Sequence, residues 1–418
     1  MTIVRMRRLV GCALVALALA LPSALAQPSG ELVIAGRDGV FGEALTLATQ
    51  WFTAEHPNVS VELLRLPYAG LYENLVISLR ERSGAFDVVM LDDTWAPEFM
   101  AAGWLRDLDE AAMAINPGFV QSALDAGRYP YAEGPVYALP HVGNVLLFAY
   151  RADLFETHGL ARPESWTDVL EAARTISEQE EGVHGVVFRG IRGNPIVTGF
   201  LPLLWAHGGE IIAEDGAVVF DSPESVAALE LFLALKAYAP IGVEVYDSSE
   251  VRDALQRGDV GMAIEIWPSW IPALDDPAVS EVVGQVEIMP APGQTVGPSP
   301  MLGSWLLGVA ADAPNPDVAL AFLEFVTSDD VQRRLALEVG LPPTVEAAYT
   351  DADVVEMFRW YPAQLEALQN ARARPRIAQW SQVESILGDF LQFALIGQMT
   401  PEQAVTEAHR RIEAALGR

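Results

Sequence analysis

The order of apolar runs between residues 32 and 91 constrains the fold most tightly. Leu32–Ala35 reads as a short buried strand, and Leu45, Ala48, Trp51 and Phe52 follow at helical spacing. Pro57-Asn58 marks a turn. Val61–Leu64 reads as a second strand, Leu75 and Leu79 lie on a second helix, and Phe86–Leu91 is a third strand. Strand–helix–strand–helix–strand predicts right-handed crossovers and a mostly parallel sheet. Open α/β sheets bind ligands beyond the carboxyl ends of their strands. Asp92, Asp93 and Trp95, directly after the third strand, are therefore candidate ligand contacts.

The pattern restarts downstream. Val145–Tyr150 is strand-like, and Ser165 with Asp168 three residues on predicts a capped helix start. Ser222-Pro223 opens another helix. Pro290–Gly293 reads as a linker, Val318–Phe325 as a helix after Pro314-Asn315-Pro316, and Pro401–Leu416 as an amphipathic helix. A chain of 418 residues predicts two to three such units.

The amino-terminal segment reads differently. Arg5, Arg7 and Arg8 precede an apolar run from Leu9 to Leu21, and Ala24-Leu25-Ala26 gives a small-residue cleavage site. This is the pattern of a secretory signal peptide over residues 1–26, with a mature chain from Gln27. The run is too short for a membrane span. Leu9-Val10-Gly11-Cys12 has the composition of a lipid-attachment box, but it stands before the apolar run rather than after it. Cys12 is the only cysteine, so the mature chain is expected to form no disulfide and no thiolate site.

Charge excludes some partners. Acids number 56 against 26 basic residues, for a net charge of −30. That disfavours nucleic acid and anionic membrane surfaces. Lys236 is the only lysine. An arginine bias of this kind fits either base composition or a salty milieu, where dense carboxylates keep a surface hydrated.

Enzyme motifs are missing: there is no H-E-x-x-H, no G-x-S-x-G and no phosphate-binding Walker loop. The six histidines are scattered without ligand spacing, so no metal site is expected. A glycosidase would need two carboxylates facing one bond, and with so many acids a pair such as Asp92-Asp93, or Glu265, carries little weight. Aromatic placement says more. Of ten tryptophans, Trp95, Trp267, Trp270 and Trp305 fall in loop-like segments beside apolar strands, whereas Trp51, Trp104, Trp166, Trp205 and Trp360 fit packing roles. Sugars present apolar C–H faces ringed by hydroxyls, which suits a pocket of aromatic walls with a few fixed polar groups.

Several segments carry a resemblance to a family. They include FTAEHPNVSVE (52–62), FDVVMLDDTWAPEFMAAGWLRDLD (86–109), the run from Tyr137 through YRADLF to PESW, and GGEII before FDSPESVAALELFLAL. RGDVGMAIEIWPSW (257–270), LGSWLLGVAADAPNPDVALAFLEFVTS (302–328) and GQMTPEQAVTEAHRRI (397–412) continue it in order. Together they resemble the extracellular solute-binding proteins of ABC importers, in the carbohydrate-binding group that includes maltose- and trehalose-binding proteins.

The resemblance implies a type II periplasmic-binding-protein-like α/β fold, with two lobes around a ligand cleft and hinge crossovers. It places the first lobe at 27–140 plus 293–328 and the second at 141–292 plus 329–418. It implies a periplasmic monomer without catalysis or cofactor, which captures a mono- or oligosaccharide or a polyol and hands it to the transmembrane subunits of a permease. By the same resemblance Asp92 or Asp93 matches a ligand carboxylate and Trp267 and Trp305 match stacking tryptophans. Glu43 matches an early polar contact, and Arg374 an arginine near the sugar. Asn144 stands where members often have an acid, a departure that bears on specificity. Glu265 and Trp270 complete the candidate set. The alternatives are a polyamine or another non-sugar solute, held by Asp92, Asp93 and Glu265, and a secreted glycosidase. An iron site would want adjacent tyrosines, which the chain lacks, and a sensory role would use the same fold.

Overall fold

A computed structural model describes residues 28–417. The expected signal peptide, its cleavage site and Cys12 lie outside the described residues. Among the described residues no helix is long and apolar enough to cross a membrane.

Two sheets organise the chain. The first contains β1 (Gly30–Arg37), β2 (Val59–Leu66), β3 (Val88–Asp92), β4 (Ala138–Val142) and β8 (Trp305–Val309). The second contains β5 (Leu147–Arg151), β6 (Met262–Ile266) and β7 (Val286–Pro290). Strand order is β2-β1-β3-β8-β4 in the first sheet and β6-β5-β7 in the second.

The expected crossovers form at the start of the chain. β1 pairs in parallel with β2 and with β3, and the helix Gly39–Glu55 connects β1 to β2. Phe41, Leu45, Ala48 and Phe52 recur along that helix on its buried side, the spacing of one helical face. The expectation of a mostly parallel sheet needs correction beyond this unit. β8 is antiparallel to both β3 and β4, and both ladders of the second sheet are antiparallel. The reason is topological. β8 follows the second sheet in sequence, so the chain re-enters the first sheet from the opposite end and inserts between β3 and β4.

Two segments link the strands of one sheet to those of the other. β4 leads through 143–146 into β5, and Val145 pairs with Leu302 in the returning segment ahead of β8. Met301 in turn pairs with Arg372: the Arg372 N–H donates to Pro300 O at 2.8 Å, and Leu302 N–H to Arg372 O at 2.9 Å. The helix Asp329–Val339 packs on Gly39–Glu55, with the Arg334 guanidinium 3.8 Å over the Trp51 ring. The later helices Trp380–Leu395 and Pro401–Ala415 pack together, the former also on Asn194–Ala206.

The expected caps form. Ser165 Oγ accepts from Asp168 N–H at 3.1 Å, and the Asp168 carboxylate accepts from Ser165 N–H at 2.9 Å. Ser222 caps Pro223–Lys236 through Ser225 N–H at 3.1 Å. Trp166, Trp205 and Trp360 are buried, as packing roles require.

Candidate ligand-binding cleft

A cleft of about 600 Å³ opens between the sheets. Its first wall is the edge where the parallel strands end. Arg37 is the last residue of β1, Tyr68 opens the helix directly after β2, and Asp92 ends β3. Because β8 runs antiparallel, its first residue reaches the same edge, and Asp92 stands opposite Trp305 in the ladder. Strand register thus sets an acid beside an indole at the rim.

The second wall is built in the same way from the other sheet. Val187 pairs with Ala263 of β6, so two residues further Arg189 meets Glu265. Arg189 N–H donates to Glu265 Oε1 at 2.8 Å, and its Nε and Nη2 donate to Oε2 at 2.9 and 2.7 Å. Nη2 also donates to Thr198 Oγ1 at 2.5 Å. The next residues after β6 are Trp267 and, in a short turn, Trp270. The Arg189 guanidinium lies 5.9 and 5.8 Å from their ring centroids, within cation–π range.

The charge on the first wall is denser. Arg374 Nη2 donates to Asp93 Oδ1 at 2.6 Å and to Asp92 Oδ1 at 3.2 Å, and its Nη1 lies 3.8 Å from Glu384 Oε1. Arg376 Nη1 donates to Asp93 O at 2.5 Å and contacts Asp93 Oδ2 at 3.3 Å. Tyr68 Oη donates to Asp92 Oδ2 at 3.0 Å, and Asn194 Nδ2 donates to Glu384 Oε1 at 2.9 Å. Burial pushes the Asp93 carboxyl up, to about 7, while Arg374 and Arg376 pull it down. Burial also raises the Tyr68 phenol and the Glu384 carboxyl. Desolvation penalises the charged form in each case.

The candidate residues sort into three groups. Asp92, Asn144, Trp267, Trp270, Trp305 and Arg374 line the cleft. Asp93, Trp95 and Glu265 are buried behind it. Asp93 and Glu265 are spent on arginines. Trp95 packs its ring 5.5 Å from Trp305 and 4.8 Å from Tyr68. Glu43 is exposed and outside the lining, a correction to its expected place. It sits on the solvent side of its helix, whereas Phe41 two residues earlier faces Trp305 at 5.6 Å.

Sequence reasoning missed Arg37, Tyr68, Arg189 and Asn194. Arg37 and Tyr68 follow predicted strands, so the rule that picked out Asp92 would have found them. Arg189 follows Val186-Val187-Phe188, a strand-like run that marks it by the same logic.

Two sheets flanked by helices and joined by crossing segments, with a polar and aromatic cleft between them, define the type II periplasmic solute-binding class. The family of bacterial extracellular solute-binding proteins matches residues 38–333, and the chain belongs to that family. It is a solute-binding protein of the ABC-transporter kind. A probable amino-acid ABC transporter periplasmic-binding protein of Sinorhizobium fredii is 27% identical over 393 residues, covering 91% of this chain and 88% of the relative. Maltose-bound MalE3 of T. maritima superposes with a TM-score of 0.82 at 29% identity, covering 92% of this chain and 99% of that one. A solute-binding protein of Agrobacterium radiobacter in complex with ribitol also gives 0.82, at 25% identity and 92% and 98% coverage. These relatives are transport binding proteins, not enzymes.

Proposed function

We propose that this chain captures a neutral sugar or polyol in the cleft and delivers it to the transmembrane subunits of an ABC importer, without catalysis of its own. One observation carries the choice of ligand: the buried acids bordering the cleft are already engaged. Asp92 is held by Tyr68 and Arg374, Asp93 by Arg374 and Arg376, Glu265 by Arg189, and Glu384 by Asn194. A polyamine would have to displace these partners and leave buried charges unpaired, which is costly. Hydroxyl groups need only the remaining hydrogen-bonding capacity. Aromatic rings on both walls suit the apolar faces of a sugar.

In this reading Asp92, Asn144, Trp267, Trp270, Trp305 and Arg374 touch the ligand. Asp93, Trp95 and Glu265 hold them in place. The lobes are approximately 27–140 with 293–328, and 141–292 with 329–418. Ligand that contacts both lobes only when they close shifts the population toward closure. The chain acts as a monomer in the periplasm after cleavage following Ala26.

A thermal-shift screen of residues 27–418 against sugars, polyols, amino acids and polyamines tests the reading. Ligand at 100 times its dissociation constant stabilises by about 2.7 kcal/mol. A shift confined to sugars or polyols is expected. A shift with polyamines or amino acids alone would overturn the ligand class while leaving the family intact.

A further inference from the structure

Gly303 lies in the segment that returns from the second sheet to the first, one residue after Leu302 and two before Trp305. Its N–H donates to Asn144 O at 3.0 Å, and Leu302 pairs with Val145. The backbone there needs no glycine, for Gly303 is not among the left-handed residues. Space needs it instead. A Cβ at Gly303 would stand 2.5 Å from Cζ3 and 2.8 Å from Cη2 of Trp267, and 3.6 Å from Asn144 Nδ2. Real Cβ atoms do not approach carbon so closely, so one of the two must move.

Trp267 has few ways to do so. It follows β6 directly and precedes Pro268, so its backbone is held on both sides. Arg189 covers its ring at 5.9 Å, and Arg189 is itself fixed on Glu265. What remains open is the cleft. On its other side Gly303 meets Asn144, which lines the cleft at 7% exposure with an Oδ1 that has no partner.

We propose that Gly303 is a specificity-determining residue. It seats the tip of the Trp267 indole, and the depth of that seat sets the free length of the cleft beside Asn144. An indole carried by the second sheet thus finds its stop on a segment leading into the first. This inference rests on the sugar or polyol reading of the cleft and names what limits ligand size within it.

The test uses the full chain as Gly303→Ala, Trp267→Ala and the double variant, with ribitol, maltose and maltotriose as probes in calorimetry. Overpacking by one methyl is expected to weaken maltotriose by about tenfold or more. Ribitol should stay within about twofold, the scatter of independent sites. In the Trp267→Ala background the glycine substitution should change nothing further. Equal losses for all three probes, no loss, or an effect that persists without Trp267 would each overturn the proposal. If Gly303→Ala fails to fold, the double variant decides. Recovery of the Trp267→Ala melting temperature supports the seat, and no recovery overturns it.

A second readout needs no ligand. Tryptophan emission of the unliganded chain should shift in Gly303→Ala and not between Trp267→Ala and the double variant; an unchanged spectrum overturns the seat. Should the parent chain bind none of the three probes, the sugar reading fails separately, and the emission still decides the role of Gly303.

Discussion

The two walls of the cleft hold buried charge beside aromatic rings by different means. On the first wall two acids share two arginines, and the partners lie far apart in sequence: Arg374 is 282 residues from Asp92 and 281 from Asp93. On the second wall one acid takes one arginine, 76 residues away, through three donated hydrogen bonds set by strand register. The first arrangement is redundant at its centre, because Asp93 meets two guanidiniums and Arg374 faces three carboxylates. The second has little reserve, since the next carboxylate, Asp247, stands 3.8 Å from Arg189 Nη1 and half in solvent. The first wall therefore tolerates the loss of one charge better than the second.

The largest expected effect follows directly. Glu265→Ala strands the buried Arg189 guanidinium and should cost about 3–5 kcal/mol in urea unfolding. Asp93→Asn leaves Arg374 on Asp92 and near Glu384 and leaves Arg376 on the backbone carbonyls of positions 93 and 126, and should cost about 1–3 kcal/mol, the scale of an imperfectly satisfied buried group. Equal losses from the two would break the contrast between a redundant wall and a single pair.

The aromatic surfaces of the two walls also differ. Trp267 is half-buried, while Trp305 is buried among Phe41, Tyr68 and Trp95. Trp267→Ala should therefore weaken ligand binding by about 1–3 kcal/mol, the scale for burying a large apolar side chain, or roughly five- to 150-fold. It should barely move the melting temperature. Trp305→Ala should lower both, because it opens a cavity in a packed cluster. A dissociation constant unchanged in Trp267→Ala would remove that residue from the site.

The opening crossover unit, the capped helix at Ser165 and the carboxyl-end position of Asp92 follow from local periodicity and cap chemistry, which a short window contains. The antiparallel insertion of β8 does not, because it depends on where the chain travels between residues 142 and 305. Asp93 and Glu265 were recognisable as acids near strand ends. That they serve arginines rather than ligand became visible only with Arg374, Arg376 and Arg189 in place, none of them near in sequence. Glu43 shows the converse error: a position matched by resemblance near the start of a helix says nothing about which side of that helix the residue faces.

The first sheet also carries a pH liability. His141, in β4, is fully buried, neither ring nitrogen has a hydrogen-bond partner, and burial pushes its pKa down to about 3. The unfolded chain takes up this proton near pH 6.5 and the folded chain does not, so stability is lost as pH falls from 6.5 towards 3. Between pH 6.5 and 5.5 this one group should cost about 1 kcal/mol. His141→Leu should remove that increment from the difference between unfolding free energies measured at the two pH values. An undiminished difference would show that the acid sensitivity arises elsewhere.

The smallest effect is expected at the rim, where Arg372, paired with Met301 of the returning segment, reaches Glu210 at 2.6 Å with both side chains 39% exposed. The same guanidinium lies 4.9 Å from the Trp205 ring centroid. Exposed ion pairs are worth about 0.2–1 kcal/mol and are screened by salt, whereas the stem and guanidinium of an arginine pack regardless of charge. Glu210→Gln should therefore cost less than about 1 kcal/mol, and that cost should vanish in molar salt. Arg372→Ala should cost more, with a remainder that salt does not remove. A double-mutant cycle isolates the pair itself. A coupling that exceeds this range and survives high salt would make Arg372 a tie between distant segments as firm as Arg374, and redundancy would then extend beyond the cleft wall to its rim.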